Sequence, residues 1–146
     1  MQRPSTPSAP IGKELSRGEG LRLLSNVTFG RIVFISHAVP AIRLVSHTMD
    51  GDGLMVGLPH DSEIASLLQR VHRVVYQADL LDAATRLGWS VVLTGRAGLV
   101  EDPQEQSRAR DRLQPWPGQA VDHIARIFPE WVTGFSITAP HTGATR

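Results

Sequence analysis

The sequence predicts a mainly β protein, a small barrel of six or seven antiparallel strands with two or three short helices. Its apolar runs are short and strand-sized, and turn residues separate them. Successive strands follow one another closely along the chain, which favours antiparallel pairing. A chain of 146 residues suits one domain. A barrel fits best because closing the sheet removes its exposed edges.

The first predicted element is a short helix that begins after Ser16. Ser16 and Glu19 have the spacing of a capping box, in which each side chain accepts a hydrogen bond from the other residue's backbone N–H. Leu21 and Leu24 share one face of this helix, which is expected to end near Asn26.

Three strands are expected next, as an antiparallel meander over 31–37, 41–49 and 54–58. A short connection at Val39-Pro40 joins the first two strands. The turn at 50–53 reads Asp-Gly-Asp-Gly, and its glycines supply the positive φ that a tight hairpin requires.

A second helix should follow the third strand. Its N-cap is Asp61 or Ser62, and apolar residues recur at helical spacing at Ile64, Leu67, Leu68 and Val71. The fourth strand is predicted over 73–80.

The segment 89–100 predicts a fifth strand that is too long to be flat. Gly95 and Gly98 lie inside it, and interior glycines usually mark a bulge or bend. Asp102, followed by proline, then begins a third helix that runs to about Arg112. The region 123–138 predicts either one last strand or two strands split at Pro129.

The ends of the chain and its composition complete the domain prediction. Residues 1–15 are expected to form a flexible leader, 16–138 the barrel domain and 139–146 a flexible tail.

The net charge of +1 offers no electrostatic footprint for nucleic acid, and no apolar run approaches a membrane span, so a cytoplasmic protein is expected. Cysteine is absent and the six histidines are scattered, so we expect no metal site. The only lysine, Lys13, falls in the leader, so any anion site should rely on arginine, hydroxyls and backbone amides.

The sequence "GLPHDS", where the third strand gives way to a helix, is a candidate anion site. His60 and Ser62 can donate hydrogen bonds there, and Arg43 on the neighbouring strand can add a guanidinium. The alternative is that Asp61 or Ser62 only caps the helix. Trp89 and Trp116 are likewise either stacking surfaces for a planar ligand or apolar filler.

Several segments resemble the pyridoxamine 5′-phosphate oxidase-like proteins, and their small actinobacterial flavin-binding members in particular. They are "GRIVFI", "GWSVVLTGRAGLVEDPQE", "PWPG" and "HIARIFPEWVTG", within a likeness that spans about 16–138. The resemblance implies a split β-barrel and a homodimer with two equivalent sites at the subunit interface. It implies flavin mononucleotide (FMN) as the usual ligand, whereas some relatives use a deazaflavin and others bind haem or related tetrapyrroles.

The same resemblance implies which residues contact the cofactor. The end of the second strand, from Arg43 to His47, would contact the flavin ring, and the loop from Gly57 to Ser62 would hold the phosphate, with Trp89 as a wall of the pocket. The complete set of cofactor-binding residues implied in this way is Arg43, Val45, Ser46, His47, Gly57, His60, Ser62, Trp89 and Ser90. No catalytic acid or base is visible.

The chain departs from its relatives at two positions. Glu63 stands where relatives typically have lysine, and Phe135 stands where they often have arginine. Replacing a phosphate-binding cation by a carboxylate turns an attraction into a repulsion. Three hypotheses follow: an FMN-dependent oxidoreductase, a deazaflavin-dependent reductase, or a non-catalytic split-barrel dimer that has lost its cofactor.

Overall fold

The computed structural model describes residues 11–60 and 62–139, which form seven strands and three helices. In chain order the elements are β1 (Ile11–Glu14), α1 (Arg17–Leu24), β2 (Phe29–Ser36), β3 (Val39–Asp50), β4 (Gly53–Leu58), α2 (Glu63–Leu67), β5 (His72–Leu81), β6 (Gly88–Leu99), α3 (Pro103–Arg112) and β7 (His123–Thr138).

All the strands belong to one antiparallel sheet that closes on itself. The strand order is β1-β7-β4-β3-β2-β5-β6, and β6 pairs back onto β7. Six strands therefore form a closed ring, and β1 extends the sheet as an additional neighbour of β7. The predicted fold class, a mainly β antiparallel barrel with short helices, is confirmed.

The ring closes because β7 is long enough to pair with two different strands. It pairs with β4 through residues 123–127 and with β6 through residues 125–137. The β6–β7 register shifts between Thr94 and Gly95, where Pro129 faces Gly95. The predicted bulge at Gly95 is confirmed, and β7 is one strand that continues through Pro129 rather than two.

The helices close the barrel core and add a second apolar cluster outside it. Ser16 and Glu19 form the predicted capping box of α1, and Leu24 at its end is fully buried in the core. Ser62 is the N-cap of α2, whereas Asp61, the alternative, lies outside the described residues. Helix α2 ends at Leu67, four residues earlier than the apolar spacing predicts.

The third helix covers the outer side of β4 and β7. Met55 and Ile124 pack there against Ala109 and Leu113, with Val121 at the margin. Among the described residues, no helix is long and apolar enough to cross a membrane.

The β2–β3 hairpin turns earlier than the sequence predicts. His37 and Ala38 both have positive φ, 53° and 62°, and Val39 is already in β3. Two successive positive φ values match the twist of a two-residue hairpin turn, which normally uses Asn or Gly. The sequence does not mark this turn because it contains neither residue, and the predicted connection at Val39-Pro40 is wrong, since both residues already pair with β2.

The predicted leader is too long. Residues 11–14 form β1 and pair with β7, with Lys13 opposite Ser136, and the Leu15 N–H donates to the Gly134 carbonyl. Lys13 therefore lies in the sheet, with its Nζ 3.5 Å from a Glu19 carboxylate oxygen. A four-residue edge strand carries too little pattern to be separated from a Pro/Ser-rich leader. Residues 1–10 and 140–146 lie outside the described residues.

Two of the three glycines of β6, Gly95 and Gly98, allow a matched test of the bulge. A Cβ at Gly95 would lie 2.0 Å from the Phe128 carbonyl oxygen, whereas a Cβ at Gly98 would meet only Val71 Cγ2 at 3.4 Å. We expect Gly95→Ala to lower the free energy of unfolding by about 3 kcal/mol, and Gly98→Ala to change it by less than about 1 kcal/mol. Urea denaturation measures both, and equal losses would show that the bulge does not require glycine.

Candidate functional site

A groove opens between the β2–β3 hairpin and helix α2. Its volume is about 490 Å³, and it is lined by Ile35, Ser36, His37, Ser62, Glu63, Ser66 and Leu67. We call it the hairpin groove. The early turn at His37 and Ala38 shapes one wall, and the start of α2 forms the other.

Three side chains from β2, β3 and α2 meet at this groove. An Arg43 guanidinium nitrogen lies 3.5 Å from Glu63 Oε1, and the Ser36 hydroxyl donates to Glu63 Oε2 at 2.6 Å. Arg43 also donates to the Ile42 carbonyl at 2.8 Å, and its Cζ lies 5.7 Å from the centre of the Phe34 ring. A guanidinium and a hydroxyl therefore bind a single carboxylate, each through a different oxygen.

The other predicted groove residue, Ser62, serves the helix. Its hydroxyl accepts from the Ala65 N–H at 3.1 Å and donates to the Pro59 carbonyl at 2.9 Å. Because its one proton is committed to Pro59, Ser62 contributes no free donor in this arrangement. The structure thus brings Arg43 and Ser62 to one region, on either side of Glu63.

His47 does not reach the groove. It is buried in the barrel, where Nε2 lies 2.9 Å from the Leu24 carbonyl and Nδ1 lies 2.5 Å from the Tyr76 hydroxyl. The carbonyl can only accept, so Nε2 carries the proton and Nδ1 accepts from Tyr76 O–H. Burial lowers the pKa of His47 and raises the pKa of Tyr76 well above its ordinary value, which keeps both groups neutral. The prediction that His47 lies against a flavin ring is not supported.

Four more of the predicted cofactor residues are enclosed by protein. Val45 and Trp89 belong to the barrel core. Gly57 faces the α3 side, where an added Cβ would lie 3.0 Å from Val121. Ser46 is fully buried, and its hydroxyl has no hydrogen-bond partner. In the sequence, each of these positions looks like part of a strand whose side chains alternate between two faces. That pattern does not reveal which face a neighbouring segment covers.

The remaining two predicted residues lie elsewhere. The His60 N–H donates to Asp122, and its ring stacks on His123 at 5.4 Å. The Ser90 hydroxyl lies 3.3 Å from the Gln77 amide nitrogen on β5. Strands β2 and β5 separate Ser90 on β6 from Arg43 on β3. Within the described residues no group of three or more His, Asp or Glu could hold a metal ion.

Sequence reasoning missed the residues of the hairpin tip. Ser36 and His37 line the groove, and the Ser36 hydroxyl lies 3.2 Å from His37 Nδ1. Recognising the tip needs the true turn position, which puts Ser36 opposite Val39 at the end of β2, within reach of Glu63 on α2. The one signal for the groove in the sequence is Glu63, because a carboxylate stands there where relatives typically have lysine.

The outer surface of the same hairpin is largely apolar, with Arg31, opposite Leu44, as a charged residue within it. Ile32 and Phe34 of β2 point into the core, so the odd-numbered residues of β2 and their partners on β3 point outward. Four large apolar side chains on this side are exposed by 41% to 57%: Phe29, Ile35, Ile42 and Leu44. We call this the outer apolar face. Ile35 belongs both to this face and to the hairpin groove, so the two features adjoin.

This architecture, a closed antiparallel ring with an added edge strand and helices packed on it, is a split β-barrel. The family model described as pyridoxamine 5′-phosphate oxidase matches residues 16–135, and the chain belongs to this family. The predicted resemblance is confirmed.

Individual relatives agree with this assignment. The chain is 42% identical over 143 residues to the uncharacterized protein Rv0080 of Mycobacterium tuberculosis, covering 94% of this chain and 93% of the relative. It is similar in structure to the FAD binding protein of Mycobacterium smegmatis, with a TM-score of 0.70, 25% identity and coverage of 85% and 98% of the two chains. An FAD-binding protein of Mesorhizobium loti shares the fold, with a TM-score of 0.70, 18% identity and coverage of 89% and 99%.

The buried His47 predicts a pH dependence of stability. Because its pKa is lowered in the folded chain from the ordinary value of 6.5, the unfolded chain binds more protons below about pH 6.5. We therefore expect the urea midpoint to be level above that pH and to fall as the pH drops from about 6.5 to about 5. His47→Gln should flatten this slope, whereas His72→Gln should retain it.

Tyr76→Phe provides a second measurement if His47→Gln does not fold. It leaves the buried His47 Nδ1 without a donor, which should cost about 1–3 kcal/mol at pH 7.5. A wild-type midpoint that is level from pH 7.5 to 5 would contradict the proposed burial of a neutral imidazole.

Proposed function

We propose that this protein is a flavin-binding oxidoreductase, with FMN as its cofactor and a homodimer as its working form. The observation that carries the proposal is the similarity, at 25% identity across nearly the whole of both chains, to the FAD binding protein of Mycobacterium smegmatis. Membership in the pyridoxamine 5′-phosphate oxidase family agrees with it.

The donor set of the hairpin groove fits a phosphate. Arg43 offers a guanidinium and Ser36 a hydroxyl, and both already bind a carboxylate, which demands the same kind of donors. Lys13, the single lysine of the sequence, lies on β1 and bonds to Glu19 of α1, so the phosphate would depend on arginine and hydroxyl donors.

A flavin would supply the electron-transfer chemistry, and the protein would supply binding, orientation and exclusion of water. In this proposal Arg43 binds the phosphate and the neighbouring outer apolar face contributes a nonpolar surface for the ring. His47, Val45 and Trp89 act from within the core by holding β3 and β6 in place.

The outer apolar face supports the homodimer. Ile42 and Leu44 are each more than half exposed in the middle of a well-paired strand, and Phe29 and Ile35 flank them on β2. A cluster of large apolar side chains on a paired sheet surface is typical of a surface that associates with a partner. A two-fold axis through this face would bring two hairpin grooves to the edges of one interface.

The cofactor prediction is tested by titration of the purified protein with FMN. We expect quenching of flavin fluorescence with saturation in the micromolar range, and Arg43→Gln should weaken binding about tenfold or more, because it removes the groove's cation. Arg112→Gln is the matched control, since Arg112 is an exposed arginine on α3 that pairs with Asp50 and does not line the hairpin groove.

The outcomes of this titration separate the three hypotheses. No binding at several hundred micromolar FMN would remove the FMN proposal. Uptake of a deazaflavin by the same protein would then favour the deazaflavin-dependent reductase, and binding of neither cofactor would favour the non-catalytic dimer.

The dimer prediction is tested by a single charge in the outer apolar face. Leu44→Glu places a carboxylate at the centre of the proposed interface and should convert a dimer to a monomer in light scattering at micromolar concentration. Val71→Glu, at an exposed apolar residue outside the face, should remain dimeric. A wild-type monomer at these concentrations would overturn the dimer.

A further inference from the structure

We propose that Arg43 and Ser36 form an anion-binding site whose resident ligand is the Glu63 carboxylate, and that a phosphate monoester enters by displacing that carboxylate. The proposal deepens the proposed function at the same groove, and it rests on that function only for the identity of the flavin. It adds Ser36 as a ligand-binding residue and Glu63 as a built-in competitor.

The contacts of Glu63 are those of a bound anion. Each carboxylate oxygen has its own donor, the Arg43 guanidinium at 3.5 Å for Oε1 and the Ser36 hydroxyl at 2.6 Å for Oε2. The three residues come from three different elements, α2, β3 and β2, so this arrangement comes from tertiary packing. Donors arranged in this way would bind two oxygens of a phosphate equally well.

The two donors are held independently of Glu63. Arg43 donates to the Ile42 carbonyl and packs over the buried Phe34 ring, and Ser36 is the last residue of β2, paired with Val39. The Glu63 side chain is 55% exposed at the first position of α2, so solvent is open to its carboxylate. The carboxylate can therefore rotate into solvent while both donors stay in place.

Glu63 decides whether the site around Arg43 is neutral or positively charged. Glu63 lines the hairpin groove and is paired with Arg43 beside it, and the other lining residues are serines, aliphatic residues and His37. With Glu63 in place, an entering phosphate finds the cation already neutralised and meets a like charge beside it. Without that carboxylate, the same donors present a net positive charge.

The test compares Glu63→Gln with the wild type, using three probes: inorganic phosphate, riboflavin and FMN. Glutamine keeps an acceptor oxygen for Ser36 but removes the charge. We expect the affinities for inorganic phosphate and FMN to rise about tenfold in Glu63→Gln, measured by calorimetry at low ionic strength. Riboflavin, which lacks the phosphate, should change by less than about twofold.

Two further variants check the site. Glu130→Gln removes another carboxylate that is paired with arginines, here Arg73 and Arg96, and should leave all three affinities unchanged. Adding Ser36→Ala to Glu63→Gln should lower the affinity for inorganic phosphate again, because it removes one of the two donors.

The outcomes distinguish this proposal from the proposed function. Tighter binding of inorganic phosphate by Glu63→Gln, without flavin binding by either protein, would support the anion site and remove the flavin. Equal binding of FMN and of inorganic phosphate by the wild type and Glu63→Gln would overturn the displacement and retain the flavin. A parallel gain for riboflavin would also overturn it, because the effect would then not depend on phosphate.

Discussion

Closure of the sheet between β6 and β7 is the constraint on which the rest of the molecule depends. A strand of sixteen residues must pair with β4 at its beginning and with β6 along most of its length, which requires a local change of register. Gly95 permits that change, because the Phe128 carbonyl oxygen occupies the space of a side chain there. Once the ring is closed, its interior is filled, and an imidazole and a phenol placed inside need hydrogen-bond partners there. His47 and Tyr76 satisfy this requirement through each other and the Leu24 carbonyl.

The features on which we base the proposed function lie instead on the β2–β3 hairpin. The β2–β3 hairpin presents an apolar surface on one side and polar side chains toward α2 on the other, with Ile35 at the boundary. A ligand at the groove would therefore lie beside the surface that we assign to a second subunit. The ion pair between Arg43 and Glu63 joins the hairpin to α2, and it is exposed, so it contributes little to stability and is free to exchange partners.

Much of the fold is predictable from the sequence because short, local sequence signals specify it. The capping box of Ser16 and Glu19, the glycine-rich turn at 50–53 and the interior glycine at position 95 each act within a few residues, and each was recognised. The hairpin turn at His37 has no such local signal, because neither Asn nor Gly occupies its positive-φ positions. Strand β1 has none either, because its pairing partner lies more than one hundred residues away. The family resemblance implies cofactor contacts for Val45, Ser46 and His47, but it does not distinguish accessible residues from enclosed ones.

The sequence by itself determined the strand and helix pattern, the barrel class, the family and the oddity of a carboxylate at Glu63, because periodicity, caps and turn residues are local properties. Only the tertiary structure decided what each candidate residue does. It enclosed Val45, Ser46, His47, Gly57 and Trp89 and separated Ser90 from Arg43 by two strands, yet it brought Ser36, Arg43 and Glu63 together. The physical reason is that burial and charge pairing depend on which distant segments meet when the ring closes, and no short stretch of sequence records that.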